Sequence, residues 1–548
     1  MKRPIKLKPF DCVVIGAGLA GLSASLRLCR KGYKPLIIEQ DSQTGGYAIN
    51  FRRKPYRFEG SLHSIHGCEE GGICSIFNDL DLHDEINPIR IKNFKHEYDV
   101  DNGREYHWSL DREQFCDEYK RKYPESAENI DRFFKVAFKM GKMLTGWNDI
   151  STLGKIGRSF QYLGGLPVLM KYLTKSTKQL LDDYFQDQDL IKDLMGFPSF
   201  TGSEPEEMSA IVFFSSFFER FYNGAYYIEG GSGHLSKLLA NKARKCGVKI
   251  LLNHKVADVE ITDKSVTKLL IEPRSKSHKR FILDLGSAPV LFCCDPHQFK
   301  DYLIHYYEKD KYFKALAERD PTDSLFEVYL GLDIDVRKYG FTNYTNVFDI
   351  LSTKLNVIIY SNIDPTCCPD GHSNICIIKF MEINDFERLL QMDNGQRGNN
   401  YKKIKELFTQ EIIEELEVAM NIDLKSHIVK HDAATPITFR RYTSNYRGAL
   451  AGATTSFKNM ILHRMGYKTG VKNLFFASQW VGLGGGFHNV MRTGLIVADK
   501  VERLIKRNKR KKAKSPRIYE LKDKHPRNLE EIDNRILDTC ACLTINSA

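Results

Sequence analysis

Three glycines near the start of the chain, Gly16, Gly18 and Gly21, have the spacing of a turn that binds the pyrophosphate of a dinucleotide. Four apolar residues before them predict a buried parallel strand, and the apolar run after them predicts a helix. The N-terminus of that helix offers free N–H groups and a partial positive charge to phosphates. We therefore predict a dinucleotide site that also includes Ala17 and Leu22. The alternative is that the glycines only permit turns.

An acidic residue, Glu39, follows the second predicted strand and lies 18 residues beyond Gly21. At this position of a dinucleotide-binding unit, a carboxylate accepts hydrogen bonds from the ribose hydroxyls. The same carboxylate would repel the 2′-phosphate of NADP, so that cofactor is disfavoured here. We expect the neighbouring Gln40 to contact the cofactor as well.

A glycine pair, Gly45 and Gly46, comes directly after the second strand and is followed by Tyr47. Flavin enzymes have a glycine pair at this point, where the backbone reaches the cofactor. The chain has no second cradle of equal quality for a nicotinamide cofactor, because the glycines of 482–486 and 230–233 lack the required spacing. The sequence therefore predicts that the cofactor is FAD.

The positive charge of the chain is concentrated at its two ends. The formal net charge is +12, of which residues 1–10 carry +4 and residues 501–517 carry +8, so the intervening body is neutral. A neutral body argues against nucleic acid as a partner, whereas basic tails suit an anionic membrane surface. The alternative is that the tails are simply solvated.

The cysteines and the apolar runs indicate a cytoplasmic protein that contacts a membrane at most peripherally. Thirteen scattered cysteines show no metal-binding spacing, so we expect no metal site and mostly buried, reduced thiols. The longest apolar run, Met208–Phe218, is too short to span a bilayer. Residues 1–10 lack the apolar region of a secretory signal.

The order of predicted elements indicates an α/β fold in which one Rossmann-type domain is assembled from separate segments. Strand, glycine turn and helix signals recur at 226–250 and 473–506, while 324–380 is rich in strands and 131–222 is largely helical. The predicted segments are a basic N-terminal extension (1–10), three parts of the FAD-binding domain (11–100, 226–300 and 446–505), a helical subdomain (101–225), a substrate domain (301–445) and a basic C-terminal tail (506–548).

Together these motifs resemble the phytoene desaturase-like flavoproteins, a family that includes carotenoid isomerases and retinol saturases. The resemblance covers roughly residues 10 to 505. Besides the glycine cradle it is carried by the segments Glu59–His63, Asp182–Pro205, Tyr226–Leu238, Gly247–Val259 and Asn473–Lys500. Departures from the family pattern include Tyr47, where many desaturases have Arg, and Leu483, where many have Pro.

The resemblance implies a fold like that of GDP dissociation inhibitors and amine oxidases, with a helical subdomain that contacts membranes. It implies an apolar isoprenoid, carotenoid or retinoid substrate whose carbon–carbon double bonds are saturated, desaturated or isomerised. It also implies that the backbone of Val256 meets the adenine end of FAD. The closing segment would lie beside the flavin ring through Gly485, Gly486, Asn489 and Val490.

Three histidines are the candidate titratable groups in this chemistry, because flavin enzymes of this type need few acid–base residues. His63 and His488 are the candidate catalytic residues, and His66 is a further possibility. Each could move a proton or hydrogen-bond the flavin. The alternative for each is an ordinary core or surface histidine. Within the family, His63 and Tyr47 favour a saturase or isomerase over a desaturase.

Two further segments have both a functional and a structural interpretation. The aromatic run Ile211–Tyr227 could line an apolar tunnel, although burial in a core is the commoner role of such a run. The lysine-rich stretch Leu153–Lys178 could form an interfacial surface that admits substrate from lipid, or an ordinary amphipathic helix.

Two other functions are compatible with the same fold. An amine-oxidase-like flavoenzyme would need facing aromatic rings around a cationic amine near the flavin. A non-enzymatic isoprenoid-binding chaperone would not need FAD, and the presence of Glu39 and the closing glycines argues against it.

Overall fold

The computed structural model of the chain describes most of its 548 residues. The described residues are 9–68, 72–145, 165–196, 203–204, 206–222, 224–275, 279–300, 303–350, 353–381, 383–392, 397–456, 459, 464–510, 516–520 and 541–543. The basic residues of 1–8, the first part of the predicted interfacial stretch (153–164) and much of the basic tail (511–515, 521–540 and 544–548) lie outside them.

The strands of the described residues are named in chain order. They are β1 (Cys12–Ile15), β2 (Pro35–Ile38), β3 (Asn50–Arg53), β4 (Tyr56–Glu59), β5 (Ile65–His66), β6 (Pro88–Arg90), β7 (Asn93–Asp99), β8 (Arg104–Ser109), β9 (Ala225–Ile228), β10 (Lys249–Leu251), β11 (His254–Thr262), β12 (Ser265–Pro273), β13 (Phe281–Asp284), β14 (Val290–Phe292), β15 (Ser324–Leu332), β16 (Thr345–Ile350), β17 (Thr353–Ile359), β18 (Ser373–Met381), β19 (Ile428–Ala434), β20 (Leu474–Phe476), β21 (Arg517–Glu520) and β22 (Ala541–Leu543).

The α-helices of the same residues are named in the same way. They are α1 (Leu19–Arg30), α2 (Gly72–Asp79), α3 (Arg112–Lys122), α4 (Ala127–Thr145), α5 (Leu166–Tyr172), α6 (Thr177–Asp182), α7 (Gln188–Gly196), α8 (Ala210–Tyr222), α9 (Ser232–Cys246), α10 (Ile304–Lys309), α11 (Lys311–Ala317), α12 (Ile383–Met392), α13 (Asn399–Met420), α14 (Pro436–Thr443) and α15 (Phe487–Arg510).

A parallel sheet in the order β10-β2-β1-β14-β20 forms the cofactor-binding half of the molecule. Its central strands consist of apolar residues that are buried along their whole length, as expected for a parallel sheet covered on both faces. Helices α1, α9 and α15 pack together against one face. The strand, turn and helix units predicted at 226–250 and 473–506 are confirmed as β9–α9 and β20–α15.

The substrate half contains a seven-stranded sheet in the order β19-β15-β18-β17-β16-β7-β8. All of its neighbouring strands are antiparallel except β16 and β7, which run parallel. The predicted boundary between residues 100 and 101 is wrong, because it cuts the hairpin of β7 and β8. Residues 93–109 join the substrate sheet through pairing with β16, a contact between distant segments that no local pattern reveals.

A helical cluster made of α3, α4 and α5–α8 covers the substrate sheet with a core of its own. Trp108 of β8 is fully buried in this core, together with Phe115, Phe133 and Phe134. Such aromatic side chains contribute large buried areas to a small cluster.

Part of the C-terminal tail belongs to the folded body. Helix α15 continues to Arg510, and β21 then pairs with β13 to extend the sheet of β11, β12 and β13. The expectation that everything beyond residue 506 is an appendage is therefore wrong for 517–520. The exposed edge of β13 supplies the physical reason, since an unpaired strand edge is a template for a further strand.

The cysteines follow the sequence expectation with one exception. Among the free cysteines, Cys12, Cys293 and Cys376 are buried as predicted. Cys68 and Cys74, however, form a disulfide that the sequence analysis did not predict. Gly67 and Gly72 lie close to each other beside this disulfide, since a Cβ on Gly67 would lie 2.5 Å from Cα of Gly72. No helix within the described residues has the length and apolar character needed to cross a bilayer.

Candidate functional site

A single large cavity runs between the parallel sheet and the substrate sheet. Its volume is about 1290 Å³, and residues of the glycine cradle, the closing segment, helix α8 and the seven-stranded sheet line it. Pockets for one small ligand usually measure about 300–1,000 Å³. The cavity therefore has room for a dinucleotide and a second molecule side by side.

The glycine cradle forms the first part of the cavity wall. Gly16 has a φ of +101°, and a Cβ on Gly21 would lie 2.1 Å from the carbonyl oxygen of Gly16. No side chain fits between strand β1 and helix α1 at that point, as the dinucleotide interpretation requires. The Gly45 N–H donates to the carbonyl of Ala17 over 2.9 Å, so the glycine pair lies directly beside the cradle.

Glu39 lies at the end of β2 with its carboxylate facing the cavity. The carboxylate accepts hydrogen bonds from the backbone N–H of Ala17 (2.6 Å) and of Asp41 (2.8 Å). Burial raises the pKa of Glu39, and these two bonds oppose the increase. A carboxylate has about four acceptor positions, so lone pairs remain for ribose hydroxyls. Gln40 is held beside it by a bond to Ser444 (2.8 Å).

The closing segment forms the opposite wall, at the N-terminus of α15. A Cβ on Gly485 would lie 2.6 Å from the Cβ of Ala451, so only glycine lets the two loops approach this closely. The side chain of Asn489 donates to the carbonyl of Gly485 (2.8 Å) and holds the turn in place. The first turn of a long helix thus faces the cavity, a location that favours negatively charged or electron-rich groups.

Most of the predicted cofactor residues line this one cavity, and three do not. The residues that line it are Gly16, Gly18, Glu39, Gln40, Gly45, Gly46, Tyr47, Val256, Gly485, Gly486, Asn489 and Val490. Ala17, Gly21 and Leu22 lie behind the wall. Ala17 binds Glu39 through its N–H, Gly21 packs against Gly16, and Leu22 is fully buried in the core. The cradle, the acid and the helix N-terminus together fit a flavin dinucleotide.

Between α8 and the substrate sheet the cavity is lined by apolar residues together with charged and polar ones, among them Glu219 and Arg220 of α8 and Lys354 and Lys379 of the sheet. Leu325, Ile358 and Ile378 face it from the sheet, and Ile211 and Val212 face it from α8.

Three aromatic residues of α8 belong to the helical core. Phe213, Phe214 and Phe217 are fully buried in the helical core. The structural interpretation of the aromatic run is therefore right for these rings, while the opposite face of the same helix borders the cavity.

His63 lines the cavity and is held in place by Glu59, four residues earlier in the chain. The buried carboxylate of Glu59 accepts hydrogen bonds from the backbone N–H of Gly60 (3.0 Å), Ser61 (3.2 Å) and Leu62 (3.1 Å). Further bonds come from Asn50 and from the N-terminus of α9. The acid-Gly-x-x-His segment is thus a loop wrapped around one carboxylate, with the histidine leaving the loop towards the cavity.

The hydrogen bonds of His63 define its tautomer. The hydroxyl of Tyr360 donates its only proton to the carbonyl of Leu62 (3.0 Å), so it can only accept from Nδ1 of His63 (3.0 Å). Nε2 of His63 then carries a lone pair. Burial lowers the pKa of His63 to about 4, which keeps the imidazole neutral at pH 7.

Glu327 is a residue of this site that the sequence analysis missed. It lies on β15, is 1% exposed, and places Oε1 3.8 Å from Nε2 of His63. The hydroxyl of Tyr329 donates to its other oxygen, Oε2. Burial raises the pKa of Glu327 to about 8. One signal was available, because Glu327 is the lone ionisable acid in an otherwise apolar strand, Ser324–Leu332.

His66 and His488 also line the cavity, at its boundary with α8. Burial lowers the pKa of His66 to about 3, with smaller contributions from Arg220 and His488. The structure therefore brings the three candidate histidines to one cavity and places Nε2 of His63 3.8 Å from Oε1 of Glu327.

A second group of potential ligands lies away from the cavity, on the hairpin of β7 and β8. One ligand atom each of His96, Glu105 and His107 lies within 4.8 Å of the others. The sequence analysis expected no metal site and missed this group, because His96 and His107 meet only through strand pairing.

Comparisons with known proteins agree with a cavity that fits a flavin dinucleotide. The sequence model of a family described as flavin-containing amine oxidoreductases matches residues 19–502. All-trans-retinol 13,14-reductase of Danio rerio is 22% identical over 533 residues, covering 89% of this chain and 86% of that protein. 1-Hydroxycarotenoid 3,4-desaturase of Flavobacterium is 23% identical, covering 89% and 98%, and prolycopene isomerase 1 of an Oncidium hybrid is 23% identical, covering 90% and 84%.

Solved structures show the same fold. An oxidoreductase from Methanosarcina mazei superimposes with a TM-score of 0.62 at 15% identity, covering 89% of this chain and 99% of that one. A putrescine oxidase gives 0.59 at 13% identity, covering 90% and 99%. At these identities the likeness concerns the fold alone.

Proposed function

Because the chain belongs to the family of flavin-containing amine oxidoreductases and uses FAD, we propose that it acts on carbon–carbon double bonds of an apolar isoprenoid-type substrate. The observation that carries this proposal is the set of aliphatic residues of α8 and the substrate sheet that line the cavity which also contains the glycine pair. A cavity lined by aliphatic side chains stabilises a hydrocarbon through burial of apolar surface. The relatives named for retinol, carotenoids and prolycopene support the same substrate class.

Bound FAD supplies hydride transfer, which the side chains of the protein cannot perform. The residues of the chain have other tasks. The glycine cradle and Glu39 hold the dinucleotide, and the aliphatic wall orients the substrate and excludes water. Leu325 and Ile378 of the sheet and Ile211 of α8 line the cavity that would hold an extended polyene.

Saturation or isomerisation fits the site better than desaturation. Desaturation removes hydrogen from the substrate and therefore needs a group that accepts a proton. The acid close to Nε2 of His63 is Glu327, and its pKa is raised to about 8. Glu327 is then protonated at pH 7 and can give a proton but not take one. The protonated carboxyl of Glu327 thus gives a physical reason for the preference for a saturase or isomerase that His63 and Tyr47 indicated.

An amine oxidase remains the second candidate, and one observation favours it. The rings of Tyr47 and Phe439 lie nearly parallel, with centroids 6.2 Å apart, and both line the cavity. The hydroxyl of Tyr47 donates to the carbonyl of Ala449 (2.8 Å), which ties this ring to the wall. A protonated Glu327 provides no charge to hold an ammonium group beside His63.

The test compares both substrate classes on the same preparation. Purified protein should be yellow with bound flavin. All-trans-retinol and prolycopene, presented in detergent, should be converted to products that mass spectrometry and chromatography separate. Putrescine and cyclohexylamine should yield no hydrogen peroxide. Turnover of either amine with no change in the polyenes would refute the proposal, and a colourless protein that takes up no FAD would favour the isoprenoid-binding chaperone.

We also propose that the protein is cytoplasmic and contacts an anionic membrane peripherally, so that an apolar substrate can enter from lipid. The concentration of charge in residues 1–10 and 501–517 supports this proposal. Helix α5, at the end of the predicted interfacial stretch, adds an exposed apolar side chain, since Met170 is 66% exposed.

A further inference from the structure

We propose that Glu327 is the acid that delivers a proton to the substrate carbon when a double bond in the cavity is reduced, and that Tyr329 positions its carboxyl. The inference rests on the proposed function, and it names the residue that the proposed chemistry still lacks. It concerns a side chain that the glycine motifs and the histidine candidates did not include.

One oxygen of the Glu327 carboxyl accepts a hydrogen bond, and the other accepts none from the described residues. Oε2 accepts the hydrogen bond of Tyr329, whereas no group among the described residues hydrogen-bonds Oε1. A buried carboxylate with an unsatisfied oxygen is costly, so the neutral acid is the stable form. A proton on Oε1 would point into the space shared by the cavity and His63.

The neighbouring imidazole of His63 is in the tautomer that turns a lone pair towards Glu327. Nδ1 of His63 donates to Tyr360, so the lone pair of Nε2 faces Oε1 of Glu327 at 3.8 Å. That separation is too long for a hydrogen bond, which leaves the acidic proton free to move towards a substrate. His63 and Glu327 together hold one transferable proton and no net charge.

The other ionisable groups around Glu327 do not neutralise a carboxylate there. Tyr329 lies on the same strand, and the remaining groups face it from neighbouring elements. They are His63, Glu59, Tyr47 and Cys376. None of these carries a positive charge at neutral pH, and the negative charge of Glu59 also disfavours ionisation of Glu327.

Reduction of one double bond adds a hydride to one carbon and a proton to the other. The hydride derives from FAD that an external electron donor has reduced, which is dithionite in the assay below. The proton comes from Oε1 of Glu327: the O–H bond breaks, a C–H bond forms, and the carboxylate regains a proton from water before the next turnover.

The position of Glu327 on the strand explains why it can reach the substrate. Leu325, Glu327 and Tyr329 alternate along β15 and therefore share one face of the sheet. Leu325 and Glu327 both line the cavity, so the carboxyl emerges within the aliphatic wall. A carboxyl that is 1% exposed and has no positively charged group among these neighbours stays protonated near neutral pH.

The experiment uses FAD-loaded protein and two readouts. The first is infrared spectroscopy between pH 5 and pH 10, which follows the carbonyl stretch of a protonated carboxylic acid. The wild-type band should disappear with a midpoint near pH 8, and E327Q should lack it. Tyr329→Phe removes a donor to the ionised form, so it should move the midpoint upwards. A residue with only a structural role would not show this shift.

The second readout is a single turnover of the dithionite-reduced protein with all-trans-retinol. E327Q should bind FAD and be reduced by dithionite normally, but its reoxidation by substrate should be at least about 100-fold slower, as expected for loss of a general acid. Glu272→Gln, on the 42% exposed side chain of a different sheet, is the matched control and should react like the wild type.

The outcomes separate the inference from the proposed function. A carboxyl band that E327Q leaves unchanged, or turnover of E327Q at the wild-type rate, overturns the inference. A wild-type protein that shows the band but reduces none of the polyenes refutes the proposed substrate class, while the assignment of the protonated carboxyl stands.

Discussion

Replacing Glu59 with glutamine should strongly destabilise the protein, although the two side chains have nearly the same shape. Glu59 is 3% exposed, and its carboxylate accepts six hydrogen bonds. Four donors converge on Oε1 and two, the N–H of Ser232 and the amide of Asn50, on Oε2. In E59Q one oxygen becomes an NH₂ group, so two donors face a third donor.

The magnitude follows from those contacts. A hydrogen bond to a charged group contributes about 1.5–3 kcal/mol, so two lost bonds cost about 3–6 kcal/mol. The favourable contact of the carboxylate with the N-terminus of α9 is lost as well, at about 0.3–1 kcal/mol. Relief of the desolvation of a buried carboxylate offsets part of this loss. We expect a net destabilisation of about 3 kcal/mol.

Asn50 cannot repair the mismatch by turning its amide over. Its oxygen already accepts the N–H of Gly233 (2.8 Å), and its NH₂ group faces Glu59 (2.9 Å). A reversed amide would satisfy the new glutamine and leave the α9 N-terminus without that acceptor. The penalty therefore remains whichever way Asn50 points.

Urea unfolding of the FAD-loaded protein, followed by circular dichroism and by flavin fluorescence, measures the effect. With a urea dependence of about 3 kcal/mol per M or more for a chain of this size, the midpoint should fall by up to about 1 M. Glu272→Gln is the control: its carboxylate accepts from Arg280 at a partly exposed site, and exposed pairs contribute about 0–1 kcal/mol. Equal midpoints for E59Q and E272Q would refute the role assigned to Glu59.

Two further predictions concern the cofactor and the membrane. Gly21→Ala places a Cβ 2.1 Å from the carbonyl oxygen of Gly16. It should lower FAD affinity by about 10–100-fold in equilibrium dialysis, the equivalent of about 1–3 kcal/mol of overpacking. Gly466→Ala, which meets nothing within 4 Å, should bind normally, and equal affinities would contradict this account of the cradle. Changing the three lysines of 511–514 to glutamine should weaken pelleting with phosphatidylserine vesicles, by about 1 kcal/mol per lysine. The same change to the three lysines of 402–405 should not, and equal pelleting of the two variants would count against the membrane proposal.

The cofactor half could be predicted from sequence because its signals are local. The strand, the glycines and the start of α1 occupy one continuous stretch, and Glu39 follows within the next unit. The roles of Gly16 and Gly21 depend on the backbone of that stretch alone. The closing segment was equally readable, since a strand, a glycine turn and a long helix follow one another there.

The acid–base part of the site could not be predicted in the same way. His63, Glu327 and Tyr360 come from three distant segments, and the pairing of β15, β17 and β18 brings the last two together. Strand register across such distances depends on tertiary packing, and a shift of one residue would turn Glu327 to the opposite face. The same reason explains why the hairpin of β7 and β8 was placed in the wrong domain.

The chemistry of this site depends on surroundings more than on residue type. A solvated glutamate is ionised at pH 7, and a solvated histidine is partly protonated. In this cavity burial reverses the order of the two pKa values, because it raises the pKa of Glu327 to about 8 and lowers the pKa of His63 to about 4. The carboxyl becomes the proton donor, and the imidazole beside it stays neutral. The aliphatic wall that binds a hydrocarbon therefore also creates the acid that its reduction requires.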